Sequence, residues 1–175
     1  KFLSNEEGLS ITNPRKMVDK TESATATPEN IVSLFHFGRS GTGLFHSLID
    51  NHSQVSTMPS IYLSEFFDPS IWRKLIAGGW NRIPDNFIET YPVLFDANAP
   101  NTITSLSGQL IGQIGVKEGM TKVGEDRNKV LGLSKVRFRQ QLKDIMKSYS
   151  QLDQLSLFRI IHLAFENTLR NQQRK

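Results

Sequence analysis

Two hydrophobic rhythms run along this chain, and they predict different elements. Ile31–Phe37 is almost continuously apolar, the pattern of a parallel strand buried on both faces. After a glycine-rich stretch, Leu44, Phe45, Leu48 and Ile49 recur at helical spacing, which predicts a helix from Leu44 to about Asn51. Val55–Met58 reads as a second, short strand, stopped by Pro59. From Asp68 onward the period is largely helical, with helices expected over Ser70–Ala77, Asp85–Phe95, Ser105–Ile114, Lys135–Tyr149 and Gln154–Asn171. Gly78-Gly79, Pro84, Pro92 and Pro100 punctuate them. Lys135–Tyr149 has the clearest period, through Val136, Phe138, Leu142, Ile145 and Met146. Residues 1–28 are polar, rich in Ser and Thr, and without apolar period. They are expected to be a linker, with residues 29–175 forming the domain.

At 175 residues, 38% of them hydrophobic, the chain is long enough for one domain with a buried core. The absence of cysteine argues against a secreted disulfide framework and fits a reducing, cytoplasmic setting. No apolar run approaches the ~18 residues that span a bilayer, and the start of the chain lacks the pattern of a signal peptide. No membrane partner is therefore expected. The net charge of +4 suits a polyanionic ligand or an acidic partner. Much of that excess, however, lies in Arg170–Lys175 and along one helix face, where a solvated surface explains it equally well. Nucleic acid is not an expected partner, because no recognition motif is present and aromatics do not interleave with the basic residues. The chain starts at Lys1 and reads as a piece of a longer, multidomain polypeptide.

Gly38-Arg39-Ser40-Gly41-Thr42-Gly43 stands between the first expected strand and the first expected helix. A strand, a glycine-rich loop and a helix aim backbone N–H groups and a helix N-terminus at an anion, so a phosphate or sulfate is the expected guest. Gly38 and Gly43 have the spacing of a Walker A loop, but Leu44 and Phe45 occupy the positions of its Lys and its Ser or Thr. Without that cation and that Mg²⁺-holding hydroxyl, ATP or GTP hydrolysis is disfavoured. The cation here is Arg39, inside the loop, where a guanidinium can reach the leaving side of a transferring group.

Arg39-Ser40-Gly41-Thr42 resembles the 5′-phosphosulfate loop of sulfotransferases that use 3′-phosphoadenosine 5′-phosphosulfate (PAPS). Gly38 replaces the usual Pro of that loop, and Gly43 its usual second Thr, which removes one hydroxyl ligand. A longer similarity covers His36–Asp50, Ser60–Asp68 and Gly115–Met120, which look like the sulfotransferase domains of modular polyketide synthases of the curacin and olefin-synthase type. The resemblance implies an α/β, P-loop-like fold, a parallel sheet flanked by helices, here its N-terminal part with a helix-rich substrate section. It implies PAPS as sulfuryl donor, adenosine 3′,5′-bisphosphate as product, and no metal cofactor. The implied acceptor is the β-hydroxyl of an acyl chain on an acyl carrier protein, activated for decarboxylative elimination to a terminal alkene. The carrier protein and neighbouring synthase domains are the implied partners. The family's 3′-phosphate-binding Arg and Ser have no convincing counterpart. Arg127 with Ser134 lacks a preceding apolar strand, and Ser134 reads better as a helix start, so those ligands are expected outside this chain.

The loop residues Gly38, Arg39, Ser40, Gly41, Thr42 and Gly43 are thus the expected cofactor ligands. Sulfuryl transfer also needs a base for the acceptor's proton. The resemblance carries that role onto Glu65, which lies in Tyr62-Leu63-Ser64-Glu65-Phe66-Phe67 among aromatics that can strip it of water. An exposed or capping carboxylate is the bland alternative. His46, on the first turn of the helix, is the second candidate base. Of the other histidines, His36 reads as a core residue, His52 as a solvated helix end, and His162 as a satisfied, partly buried residue. Ser47 and the Lys117-Glu118 pair are weaker candidates, for the phosphate and the acyl pocket. No His or carboxylate pair has metal-ligand spacing with a second pair near it. Two other readings fit the loop: a dinucleotide-binding domain, in which His46 would crowd the third glycine position, and a non-catalytic docking or scaffold module.

Overall fold

A computed structural model describes residues 10–14, 27–34, 40–49, 52, 54–58, 63–113, 118–122 and 125–173. Its core is built by helices. Helix α2 (Pro69–Ile76) begins where Asp68 accepts a hydrogen bond from Ser70 N at 2.7 Å and Pro69 takes the first turn. It buries Ile71, Trp72 and Leu75. Gly78 and Gly79, at φ 74° and 87°, then reverse the chain into α3 (Ile83–Thr90). The Asn86 side chain closes this corner, donating to Leu75 O at 2.9 Å and Ala77 O at 2.7 Å. The helix expected over Asp85–Phe95 is thus shorter and earlier. Pro92 pushes Tyr91 out of helical geometry (φ −122°, ψ 55°), and a single 3₁₀ turn, Pro92–Leu94, follows.

Downstream, α4 (Glu118–Thr121) is one short turn. Helix α5 (Lys135–Met146) starts at Ser134, whose Oγ accepts from Arg137 N at 3.4 Å, and buries Phe138, Leu142, Ile145 and Met146. The long α6 (Gln154–Gln173) buries Leu157, Ile160, Ile161, Ala164 and Phe165. It packs on α5, while α3 packs on both α2 and α5. A run of aromatic rings threads the core. Phe66 meets Tyr91 (centroids 6.5 Å apart), Tyr91 meets Phe87 (4.8 Å), Phe87 meets Phe138 (5.5 Å) and Phe138 meets Phe95 (4.9 Å).

The strands differ from expectation. A helix was expected over Ser105–Ile114, but the chain forms an antiparallel hairpin of β2 (Thr102–Thr104) and β3 (Leu110–Gln113). β-branched Thr102, Ile103 and Thr104 favour the strand. The turn is closed by Ser105, which accepts from Gly108 N at 3.0 Å and donates to Gln109 O at 2.9 Å, with Gly108 at φ 82°. Local turn chemistry outweighs the helical spacing there. In the second sheet β1 (Ile11–Thr12) pairs antiparallel with β4 (Gln151–Leu152), Ile11 opposite Leu152. Asn13 extends this contact, donating from its backbone to Ser150 O at 2.8 Å and from its side chain to Tyr149 O at 3.1 Å. Residues 11–13, expected in the linker, thus bond to residues 149–152, and Arg159 donates to Glu29 O at 2.9 Å.

Both described sheets are two-stranded and antiparallel. The parallel sheet of the expected fold has no counterpart among the described residues. Residues 31–34 of the first expected strand form no ladder, and Ile31, Val32 and Leu34 are exposed; residues 35–37 lie outside the described residues. Val55–Met58 forms no strand either, although Met58 is buried. A single extended segment cannot satisfy its own backbone groups, so an apolar run becomes a strand only where a neighbour supplies the ladder. Among the described residues no helix is long and apolar enough to cross a membrane.

Candidate anion loop and buried carboxylate site

The loop enters its helix two residues earlier than the apolar period suggests: α1 spans Thr42–Ile49. Gly41 holds φ +77°, a left-handed conformation that side chains resist. Its carbonyl accepts the first bond of the helix, from Phe45 N at 3.0 Å. The N–H groups of the first turn have no acceptor within the helix, which is the basis of anion binding at such ends. A side chain built at Gly41 or Gly43 would meet none of the described residues within 4 Å, so these leave the backbone here open to an approaching oxyanion. The residues present fit a sulfate or phosphate group at this point. Gly38 and Arg39 lie outside the described residues, as does the side chain of Thr42.

The other candidates sort clearly. His46 is half-buried on α1. Ser47 donates its hydroxyl to Leu44 O at 2.7 Å, so it caps its own helix carbonyl instead of reaching forward to a phosphate. His52 is exposed, as expected, and its Nδ1 accepts from Gln54 N at 3.2 Å. His36, Lys117 and the side chain of Glu118 lie outside the described residues. Ser134 caps α5, and Arg127 is an exposed loop residue at φ 50°.

Glu65 sits in a 3₁₀ turn, Ser64–Phe67, that leads into α2. The Gln154 side chain pins this turn from α6, donating to Phe66 O at 2.7 Å. The carboxylate is not the solvated one of the bland reading. Its Oε2 is buried and has no hydrogen-bond partner among the described residues. Its Oε1 lies only 2.9 Å from where a side chain on Gly112 would begin, so β3 presses directly against it. Nearby is the Tyr91 hydroxyl, fully buried and equally without partner. Burial, and then the Glu65 charge, hold that hydroxyl protonated well beyond its usual range. Leaving such groups unpaired costs about 1–3 kcal/mol each. The hairpin that meets Glu65 is anchored by Lys74, whose ammonium donates to Thr104 O at 2.7 Å and is lowered from its ordinary value by burial.

His162 is partly buried, as expected, but only one of its ring nitrogens is satisfied. Its Nε2 is buried and unpartnered, its Nδ1 is 3.5 Å from Ser56 Oγ, and its ring packs on Phe158 at 4.6 Å. Burial pulls it down to about 4, so the imidazole is neutral. The structure thus brings Glu65 to Tyr91 and Gly112, and none of the contacts described for Glu65 is to His46 or to the loop. Tyr91 was missed from sequence because its only signal is the Tyr-Pro step that ends a helix. Gly112 reads as an ordinary strand glycine. Among the described residues no group of three or more His, Asp or Glu side chains is placed to hold a metal ion. No protein-family model, curated protein or solved structure matches the chain.

Proposed function

We propose that this chain belongs to a PAPS-dependent sulfotransferase that sulfonates an aliphatic hydroxyl, in the cytoplasm. The acceptor in this reading is the β-hydroxyl of an acyl chain on an acyl carrier protein, within a polyketide synthase that forms terminal alkenes. One observation carries the reading: Arg39-Ser40-Gly41-Thr42 runs straight into α1, with Gly41 left-handed and its surroundings open. That combination suits a multiply charged oxyanion held by backbone amides and one guanidinium.

In this reading PAPS supplies an activated sulfuryl group. Glu65 would take the proton of the acceptor hydroxyl, and the loop would face the phosphate side of the donor, where negative charge builds. Arg39 and the amides of residues 40–43 offset the charge that builds there. His46 is the reserve base. One observation favours the second reading, a non-catalytic docking module: Leu44, Phe45 and Leu48 on α1 are 68%, 48% and 71% exposed, more apolar surface than an anion site needs.

Titration calorimetry with adenosine 3′,5′-bisphosphate, paired with a sulfuryl-transfer assay on the full protein, separates the two. Arg39→Ala is expected to lose about 3 kcal/mol of transition-state stabilisation or more while the protein remains folded. Glu65→Gln is expected to bind the bisphosphate as the parent does and to turn over on the order of a hundred to ten thousand times more slowly. A parent protein that ignores the bisphosphate would leave the docking reading standing.

A further inference from the structure

One face of α6 touches three pieces of chain that the sequence keeps far apart. Gln154, Phe158, Arg159 and His162 fall within about 140° of the helix circumference. Gln154 holds the turn that carries Glu65, through Phe66 O at 2.7 Å. Phe158 packs on Phe66 and Phe67, with ring centroids 5.2 and 5.3 Å away. Arg159 donates to Glu29 O at 2.9 Å, and its Nε is buried, so the root of the guanidinium lies against the protein. His162 Nδ1 is 3.5 Å from Ser56 Oγ, and Met58, two residues on, is buried in the core.

Glu29 and Ser56 stand on either side of the anion loop in sequence, with α1 between them. The hydrogen bonds shown by α1 stay local: Phe45 N to Gly41 O, Ser47 Oγ to Leu44 O, and, just after it, His52 N to Ile49 O. Its Leu44, Phe45 and Leu48 face solvent. A helix of 8 residues with so little packing takes its position from what holds its ends.

We infer that this face of α6 is a clamp on the anion loop: Arg159 and His162 fix the two ends of the loop-bearing segment against the helix that also fixes the Glu65 turn. Both are positioning residues. Once the ends are freed, α1 takes up many positions, and a ligand must order them before it binds, which lowers its apparent affinity. The clamp rests on the contacts of α6 alone, whereas its effect on a nucleotide ligand rests on the sulfuryl-transfer reading of the loop.

The chain has no cysteine, so pairs of spin labels can be placed without background. Double electron–electron resonance on the full protein reads α1 against α5 from labels at Ser47→Cys and Gln140→Cys, both exposed positions. Labels at Arg73→Cys, also exposed, and Gln140→Cys read α2 against α5 as the control. The parent is expected to give a narrow distance distribution for both pairs. Each end keeps a second contact, since Thr27 Oγ1 lies 3.5 Å from the Tyr149 hydroxyl and Met58 is in the core. Arg159→Ala combined with Ser56→Ala is therefore the variant expected to broaden the α1–α5 distribution and leave the control narrow. By calorimetry it is expected to bind adenosine 3′,5′-bisphosphate about tenfold more weakly, the scale of one lost hydrogen bond from a charged donor. Arg159→Lys, which keeps a cationic donor for Glu29 O, is expected to match the parent in both measurements.

A broad α1–α5 distribution in the parent overturns the inference, and so does a double variant whose distribution stays narrow. If the control pair broadens too, these side chains hold the whole body and the clamp is wrong. A double variant that frees α1 yet binds the bisphosphate as the parent does removes the positioning role. A parent that keeps α1 fixed and ignores the bisphosphate would sink the sulfuryl-transfer reading and leave the clamp standing.

Discussion

Helices α1 and α5 carry similar apolar spacing and meet opposite fates. Phe138, Leu142, Ile145 and Met146 of α5 are buried, whereas Leu44, Phe45 and Leu48 of α1 face solvent. Periodicity is a property of one segment, and burial needs a second surface within reach. α5 finds α3 and α6; the exposure of α1 shows that no described element covers its apolar face. The helical section from Ser64 onward therefore supplies the stability of the described core, and the loop with its helix contributes little to it. The two contributions should be separable by substitution.

The strongest way to break that division is at the centre of the aromatic run. Phe87→Ala removes a ring that touches Tyr91, Phe95 and Phe138. Denaturant unfolding is expected to show a loss of about 3–5 kcal/mol. A value near zero would mean the helical section is not the stabilising body.

A somewhat smaller effect is expected from acid. His162 is held neutral in the fold with its pKa lowered to about 4, below the ordinary 6.5. The unfolded chain therefore takes up the proton first. Stability from this site is whole above about pH 6.5 and is lost as pH falls toward 4, by on the order of 2–3 kcal/mol. His162→Gln should flatten that part of the stability profile. A variant with an unchanged acid limb would place the cause among the carboxylates.

The smallest effect sharpens the comparison from the other side. Leu48→Ser on α1 is expected to change global stability by no more than about 0.5 kcal/mol, because the side chain is already in water. Chemical unfolding of parent and variant under identical conditions checks this. A loss of 2 kcal/mol or more, on the order of a core truncation, would show that this face is covered in solution.

The same contrast explains what the sequence disclosed. α2, α5 and α6 were legible because a helix satisfies its own backbone and announces itself through caps such as Asp68 and Ser134 and through spacing. The hairpin was not, since Ser105, Gly108 and Gln109 settle it by turn chemistry that helical spacing hides. Ile31–Phe37 misled over its described part because strand pairing is decided by a distant neighbour. The burial of the Glu65 carboxylate was legible from its aromatic flanks. Tyr91 and Gly112 reach it from other parts of the chain, and no local pattern records that meeting.

The pairing of β1 with β4 has a consequence for the order in which the molecule assembles. Ile11 and Leu152 are partners separated by almost the whole chain. Closing a loop of that length costs about 4 kcal/mol of chain entropy, and a two-residue ladder returns little against it. The turns joining α2 to α3 and α5 to α6 close over a few residues and can form early. Strand β1 therefore docks onto a body that is already folded. In time, residues 10–14 are expected to be the last to arrive and the first to leave.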